Sequence, residues 1–156
     1  MGKFGLSAID HTTAASQAIL PAINADFAAG EEGEIVEIIA TGGGTTGAAD
    51  TEHIMRGTRS TNATAGTSTA QTAQQFNLNG NAAQAAGAVL YTVIPAVLDT
   101  IHEVMFGFNQ RGGMRWAVPR GEGVDMDGDQ SKGSYAVSLA SSAAGKVDAN
   151  MHWWEP

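Results

Sequence analysis

The stretch GKVDANMHWWE, residues 145–155, alternates without a break: Val147, Ala149, Met151 and Trp153 fall on one side, and Asp148, Asn150, His152 and Trp154 on the other. Successive side chains leave a pleated strand on opposite faces, so this period of two predicts a half-buried β-strand. The same period places Trp153 inward and obliges its neighbour Trp154 to point the other way, toward solvent, a partner or another part of the chain.

Working back along the chain, the pattern repeats. GSYAVSLA, residues 133–140, sets Tyr135, Val137 and Leu139 inward against Ser134, Ala136 and Ser138. MRWAV sets Met114, Trp116 and Val118 against Arg115 and Ala117, and the run from Leu98 to Phe108 sets His102, Val104, Phe106 and Phe108 against Glu103, Met105 and Gly107. These two segments flank NQRGG and read as a hairpin with a Gly-Gly turn. AVLYTVI (residues 88–94) ends at Pro95, EEGEIVEIIAT (residues 31–41) carries β-branched residues between acidic ones, and TEHIMRGT spans residues 51–58; each predicts a further strand. Seven or eight short strands with Gly-rich turns indicate an all-β, antiparallel sandwich, jelly-roll-like in its simplest version.

Two regions fall outside the pattern. Residues 1–30 are Ala-rich, with a short helix expected from Thr13 to Leu20 and a stop at Pro21, and read as an extended N-terminal arm containing little helix; residues 31–156 then form the sandwich. RSTNATAGTSTAQTA, residues 59–73, reads as a low-complexity loop.

Composition sets limits on function. The 156-residue chain holds 27 Ala and 20 Gly, while Leu, Ile, Val and Phe together number only 29. So thin a supply of large apolar side chains sits at the edge of what a self-sufficient core needs, and points to a chain that gains by lying against neighbours. A net charge of −8 argues against nucleic acid as a partner, because phosphate binding requires clustered cations. Arg111, Arg115 and Arg120 form the one local basic group. The absence of Cys removes disulfides, thiolate metal sites and thiol nucleophiles. The opening residues lack a signal peptide's apolar core and no long apolar run follows, so the expectation is a protein made in the cytoplasm with no membrane partner.

Chemistry-bearing motifs are few. Asp125, Asp127 and Asp129 stand on alternate residues and are the best metal candidate, since Ca²⁺ takes several carboxylate oxygens; the spacing departs from the helical calcium loop, and a solvated acidic turn is the favoured reading. His11, His53, His102 and His152 are too far apart for a local ligand set and read as structural histidines. No serine occupies a nucleophile elbow and GGGTTG lacks a phosphate loop's Lys-Ser/Thr ending. The expectation is no enzyme and no cofactor. The interface candidates are Arg111, Arg115, Trp116, Arg120, Trp153 and Trp154, as large aromatics and arginines dominate binding hot spots. An ordinary polar hairpin face remains the alternative for the arginines.

From Phe76 onward, an apolar strand runs into Phe108-Asn109-Gln110-Arg111. A strand Arg115-Trp116-Ala117-Val118-Pro119 follows, then a Gly/Glu turn and the aromatic strand ending in Trp153-Trp154. In these elements the chain resembles the head decoration, or cement, proteins of tailed phages. The resemblance implies a β-sandwich on the capsid surface of the virion that binds the major capsid protein and associates with itself as a dimer or trimer. A receptor- or glycan-binding module of a tail fibre, and a tail-tube or neck component, are the competing readings.

Overall fold

The computed structural model describes residues 2–13, 18–24, 31–43, 51–60, 67–76, 80, 82–93, 98–127, 134–141 and 145–156. It is all-β, with no helix among the described residues. The strands are β1 (Gly2–Thr13), β2 (Ala18–Asn24), β3 (Glu32–Gly42), β4 (Glu52–Ser60), β5 (Thr67–Gln71), β6 (Gln74–Gln75), β7 (Ala86–Val93), β8 (Leu98–Asn109), β9 (Gly113–Ala117), β10 (Val124–Asp127), β11 (Ser134–Ser141) and β12 (Gly145–Glu155). They form two six-stranded sheets: sheet A runs β10-β3-β12-β1-β6, with β9 also on β3, and sheet B runs β5-β7-β2-β11-β4-β8. All pairings are antiparallel.

The inner faces of the two sheets share one core. Phe4, Leu6, Ile35, Ile38, Met151 and Trp153 come from sheet A, and Met55, Val89, Val104, Tyr135 and Val137 from sheet B. Leu6 lies so close to β7 that a Cβ at Gly87 would stand 2.8 Å from its Cδ1, so the sheets touch where glycine removes a side chain. Trp153 is fully buried and its ring stacks on Phe4 at 6.2 Å between centroids. Burying each such large side chain contributes roughly 1.5–3 kcal/mol. Buried Glu155 finishes β12: its carboxylate accepts Trp153 Nε1–H at 2.8 Å and the backbone N–H groups of Gln84 and Ala85 at 2.7 and 3.1 Å. Three donors, two from the segment before β7 and one from the end of β12, are thereby tied to one carboxylate, as a buried charge requires.

The expected strands over residues 31–41, 51–58, 88–94, 98–108, 114–118, 133–140 and 145–155 are β3, β4, β7, β8, β9, β11 and β12. Other expectations need correction. Where the expected arm is described, at Gly2–Thr13 and Ala18–Asn24, it is not outside the sandwich: β1 lies between β12 and β6, β2 between β7 and β11, and Phe4, Leu6 and Ala8 are buried. Their alternation with Lys3, Gly5 and Ser7 is a strand pattern that the Ala-rich surroundings conceal. Ala18–Leu20, expected to be helical, belongs to β2, where pairing with β11 overrides the weak local preference for helix. Pro21 does not stop the element; the β2–β11 register slips beside it, the place in a ladder where a residue without N–H fits. Thr67–Gln71, expected as loop, pairs with β7. Finally, β8 and β9 are not a hairpin: β8 pairs with β4 in sheet B and β9 with β3 in sheet A. The turn between them, closed by Gly112 N–H donating to Asn109 O at 2.9 Å, carries the chain from one sheet to the other. Alternation within a strand is the same whichever neighbour it pairs with, so it could not distinguish the two.

Candidate functional site

The outer face of sheet A carries a cluster of ion pairs. On β3 the register against β12 slips by one residue at Val36, between the pairs Ile35–Trp153 and Glu37–His152. The extra residue is a β-bulge, and it re-aims the side chain that follows it. Glu37 thus lies over the sheet between β9 and β12. Its carboxylate accepts Arg115 Nε–H at 2.5 Å, stands 2.7 Å from His152 Nδ1, and has Lys3 Nζ at 3.8 Å. Burial pushes the Glu37 carboxyl up, but the hydrogen bonds and charges of His152 and Arg115 outweigh it and hold the group below the ordinary carboxylate value.

Gly5 makes room for this cluster. It pairs with His152, and a Cβ there would stand 2.8 Å from His152 Cδ2 and 3.0 Å from Phe76 Cε2. The imidazole instead packs edge-on against Phe76 at 4.9 Å, with Lys3 Nζ 5.3 Å from the same ring. Phe76 itself is 57% exposed, one of the large apolar side chains facing solvent.

Beside the cluster lies a cleft. β9 and β10 run along the same edge of β3 as one interrupted strand, and residues 118–123 make an excursion between them. Glu34 pins that excursion: its Oε1 accepts Gly121 N–H at 2.7 Å and Gly123 N–H at 2.5 Å, and Oε2 accepts Gly121 N–H at 2.9 Å. Gly121 has φ of 90°, a conformation other residues adopt only with strain. The pinned turn holds Arg120 over the Trp154 ring, 5.7 Å from its centroid. Between Trp154 and Arg120 on one side and Glu32, Glu34 and Asp125 on the other is an open cleft of about 370 Å³.

Of the residues singled out in the sequence, Arg115, Arg120 and Trp154 come together on this face. Arg111 does not: it is exposed on the β8–β9 turn, its N–H donating to Asn109 Oδ1 at 2.9 Å. Trp153 is corrected from interface to interior, and Trp116 is half-buried. Trp153 is in the core, and Trp116, paired with Ile38, packs half-buried against it from the inner side of β9. Trp154 lies against its own chain, under Arg120. Asp125 and Asp127 occupy outer-face positions on β10 opposite Glu34 and Glu32; Asp129 lies outside the described residues. No group of three or more potential ligands stands ready for a metal among the described residues.

Reading the sequence missed Lys3, Glu34, Glu37, Phe76 and His152 as a set. His152 has no acidic neighbour in sequence; Glu37 reaches it across the β3–β12 ladder. A signal was present in Glu37 itself, a charge set among Ile35, Val36, Ile38 and Ile39. No protein-family model matches the chain, and no curated protein matches it.

Proposed function

We propose that this chain is a non-catalytic structural protein of a tailed-phage head, a decoration protein that binds the assembled major capsid protein lattice from outside, itself a dimer or trimer. The observation that carries this reading is the outer face of sheet A, where Arg115, Arg120, Trp154 and Phe76 share a surface mounted on a six-stranded sheet. Such a face offers aromatic and guanidinium groups already held in position, so little side-chain freedom is lost when an acidic, flat partner docks. Binding only to the assembled lattice would stabilise the shell by mass action, and many copies would add. The jelly-roll reading of the sandwich belongs to the same proposal.

The test is co-sedimentation of the purified protein with undecorated capsids. Binding is expected, and the triple substitution Arg115→Ala, Arg120→Ala, Trp154→Ala should weaken it at least about tenfold. Failure to bind any capsid lattice would remove the reading. A second reading, a glycan-binding module of a tail fibre, is favoured by the cleft at Trp154, where an indole ring faces the carboxylates of Glu32 and Asp125. Glycan-array binding abolished by Trp154→Ala, without capsid binding, would establish it instead.

A further inference from the structure

Among the described residues, β8 has a strand on one side only, β4. The β4–β8 register is regular from Glu52–Asn109 to Gly57–Val104 and slips only beyond Gly57. Gln110 N–H donates to Thr51 O at 2.9 Å, continuing this ladder by one more pair. In an antiparallel ladder, residues that exchange bonds with the neighbour alternate with residues that do not. Counting back from Gln110, the backbone groups of Phe108, Phe106 and Val104 address β4, whereas those of Asn109, Gly107 and Met105 address the open edge.

The same residues present the outer face of the sheet. Met105 is 63% exposed and Ile54, next to Gly107 on β4, is 42% exposed; among the described residues they are two of four large apolar side chains that face solvent. Between them stands Gly107, exposed and without a side chain. The devices that blunt edges are missing here: residues 104–109, VMFGFN, contain no charge and no proline. Sheet A differs, because its β9–β10 edge is broken by the excursion at 118–123.

We infer that the open edge of β8 is a self-association surface, and that its occupant is β8 of a second copy, antiparallel about a twofold axis at Gly107. In this register Gly107 and its symmetry mate exchange backbone bonds, and each Met105 carbonyl receives the N–H of Asn109 from the other copy. The facing glycines leave a shallow gap on the outer surface that Ile54 and Met105 of both copies close. An edge that is complementary to itself in hydrogen bonds and apolar contact fits a second copy better than an unrelated strand.

This supplies a surface for the self-association in the decoration-protein reading, but it rests on the edge alone; a dimer that binds no capsid would sink that reading and leave this one standing. Sedimentation velocity over a concentration series should show a monomer–dimer equilibrium. Gly107→Pro deletes an N–H that does not serve β4, and should weaken dimerisation about tenfold or more with an unchanged melting temperature. If the proline variant does not fold, Gly107→Lys replaces it, because a Cβ at 107 meets only His53 O at 3.7 Å. Since the chain has no cysteine, Gly107→Cys places a single thiol at the axis, within disulfide distance of its mate. It should cross-link on mild oxidation, and Ile9→Cys, 69% exposed on the other sheet, should not. A wild-type chain that stays monomeric throughout, a dimer indifferent to the substitutions at 107, or cross-linking no greater at 107 than at 9 would each overturn the inference.

Discussion

Sheet A and sheet B are both six-stranded, yet they treat polar groups and edges in opposite ways. On sheet A, β12 buries Val147, Ala149, Met151 and Trp153 inward, and its outward His152 meets Glu37, which also holds Lys3 and Arg115. The sheet's buried carboxylates, Glu37 and Glu155, are partnered, and its β9–β10 edge is interrupted. Sheet B buries polar groups within itself. His53 is fully buried, its ring 5.2 Å from Phe108. Tyr135 Oη is buried without a hydrogen bond, and burial, with the charge of Glu103 adding to it, pushes the phenol up. On β11 the residues expected to face outward, Ala136 and Ser138, are buried as well as Tyr135 and Val137, because small side chains in a central strand are covered by those of the strands on either side. The difference teaches that a sheet whose outer face is saturated with ion pairs offers charge to a partner, whereas one with an open, uncharged edge offers backbone.

The largest expected effect that divides the two regions is at the end of β12. Trp153→Ala should cost about 3–5 kcal/mol in urea unfolding, a cavity in the shared core, whereas Trp154→Ala, on the outer face, should cost less than about 1 kcal/mol. Equal costs would erase the division between the faces of sheet A. Next in size is Gly57→Ala in sheet B. A Cβ at Gly57 would stand 2.1 Å from Tyr135 Oη, and the buried ring has nowhere to go, so a loss of about 1–3 kcal/mol is expected in the same measurement.

Acid should separate the sheets by pH. Burial holds His53 below its ordinary value of 6.5, so the unfolded chain takes up a proton there first. The stability it contributes is complete above that value and is lost as pH falls below it. Glu37 is held below its ordinary 4.5, so its contribution is complete above that pH and disappears only as pH falls through the lowered folded value. Urea midpoints measured from neutral pH downward should therefore decline in two stages. Glu37→Gln should lower the neutral-pH midpoint and flatten the second stage alone, and His53→Gln the first alone. A single stage unaffected by either would show that neither group governs acid stability. The smallest effect is a gain: Tyr135→Phe removes a buried hydroxyl without a partner and should raise stability by up to about 1 kcal/mol, readable as a higher melting temperature.

The legibility of the chain follows the same division. Strands with apolar residues at every second position, such as β8 and β12, were readable because burial on one face writes itself into the sequence, and β3 was readable from its β-branched residues. β1, β2 and β5 were not, since Ala, Gly and Thr suit loops, arms and strands alike, and only pairing made these segments β. At the site, the exposure of Trp154 relative to Trp153 followed from parity. The Glu37 cluster did not, since Glu37 and His152 are 115 positions apart and meet only through a bulge at Val36.

Period-two patterning by itself determined that this protein is an antiparallel β structure and which side of most strands is buried, because that information is local to each strand. Tertiary structure alone decided which strands are neighbours, that the turn after Asn109 crosses between sheets, and that Lys3, Glu37, Arg115 and His152 meet. Those outcomes depend on ladder register and on contacts between distant segments, and a pattern of alternation is unchanged by exchanging one partner strand for another.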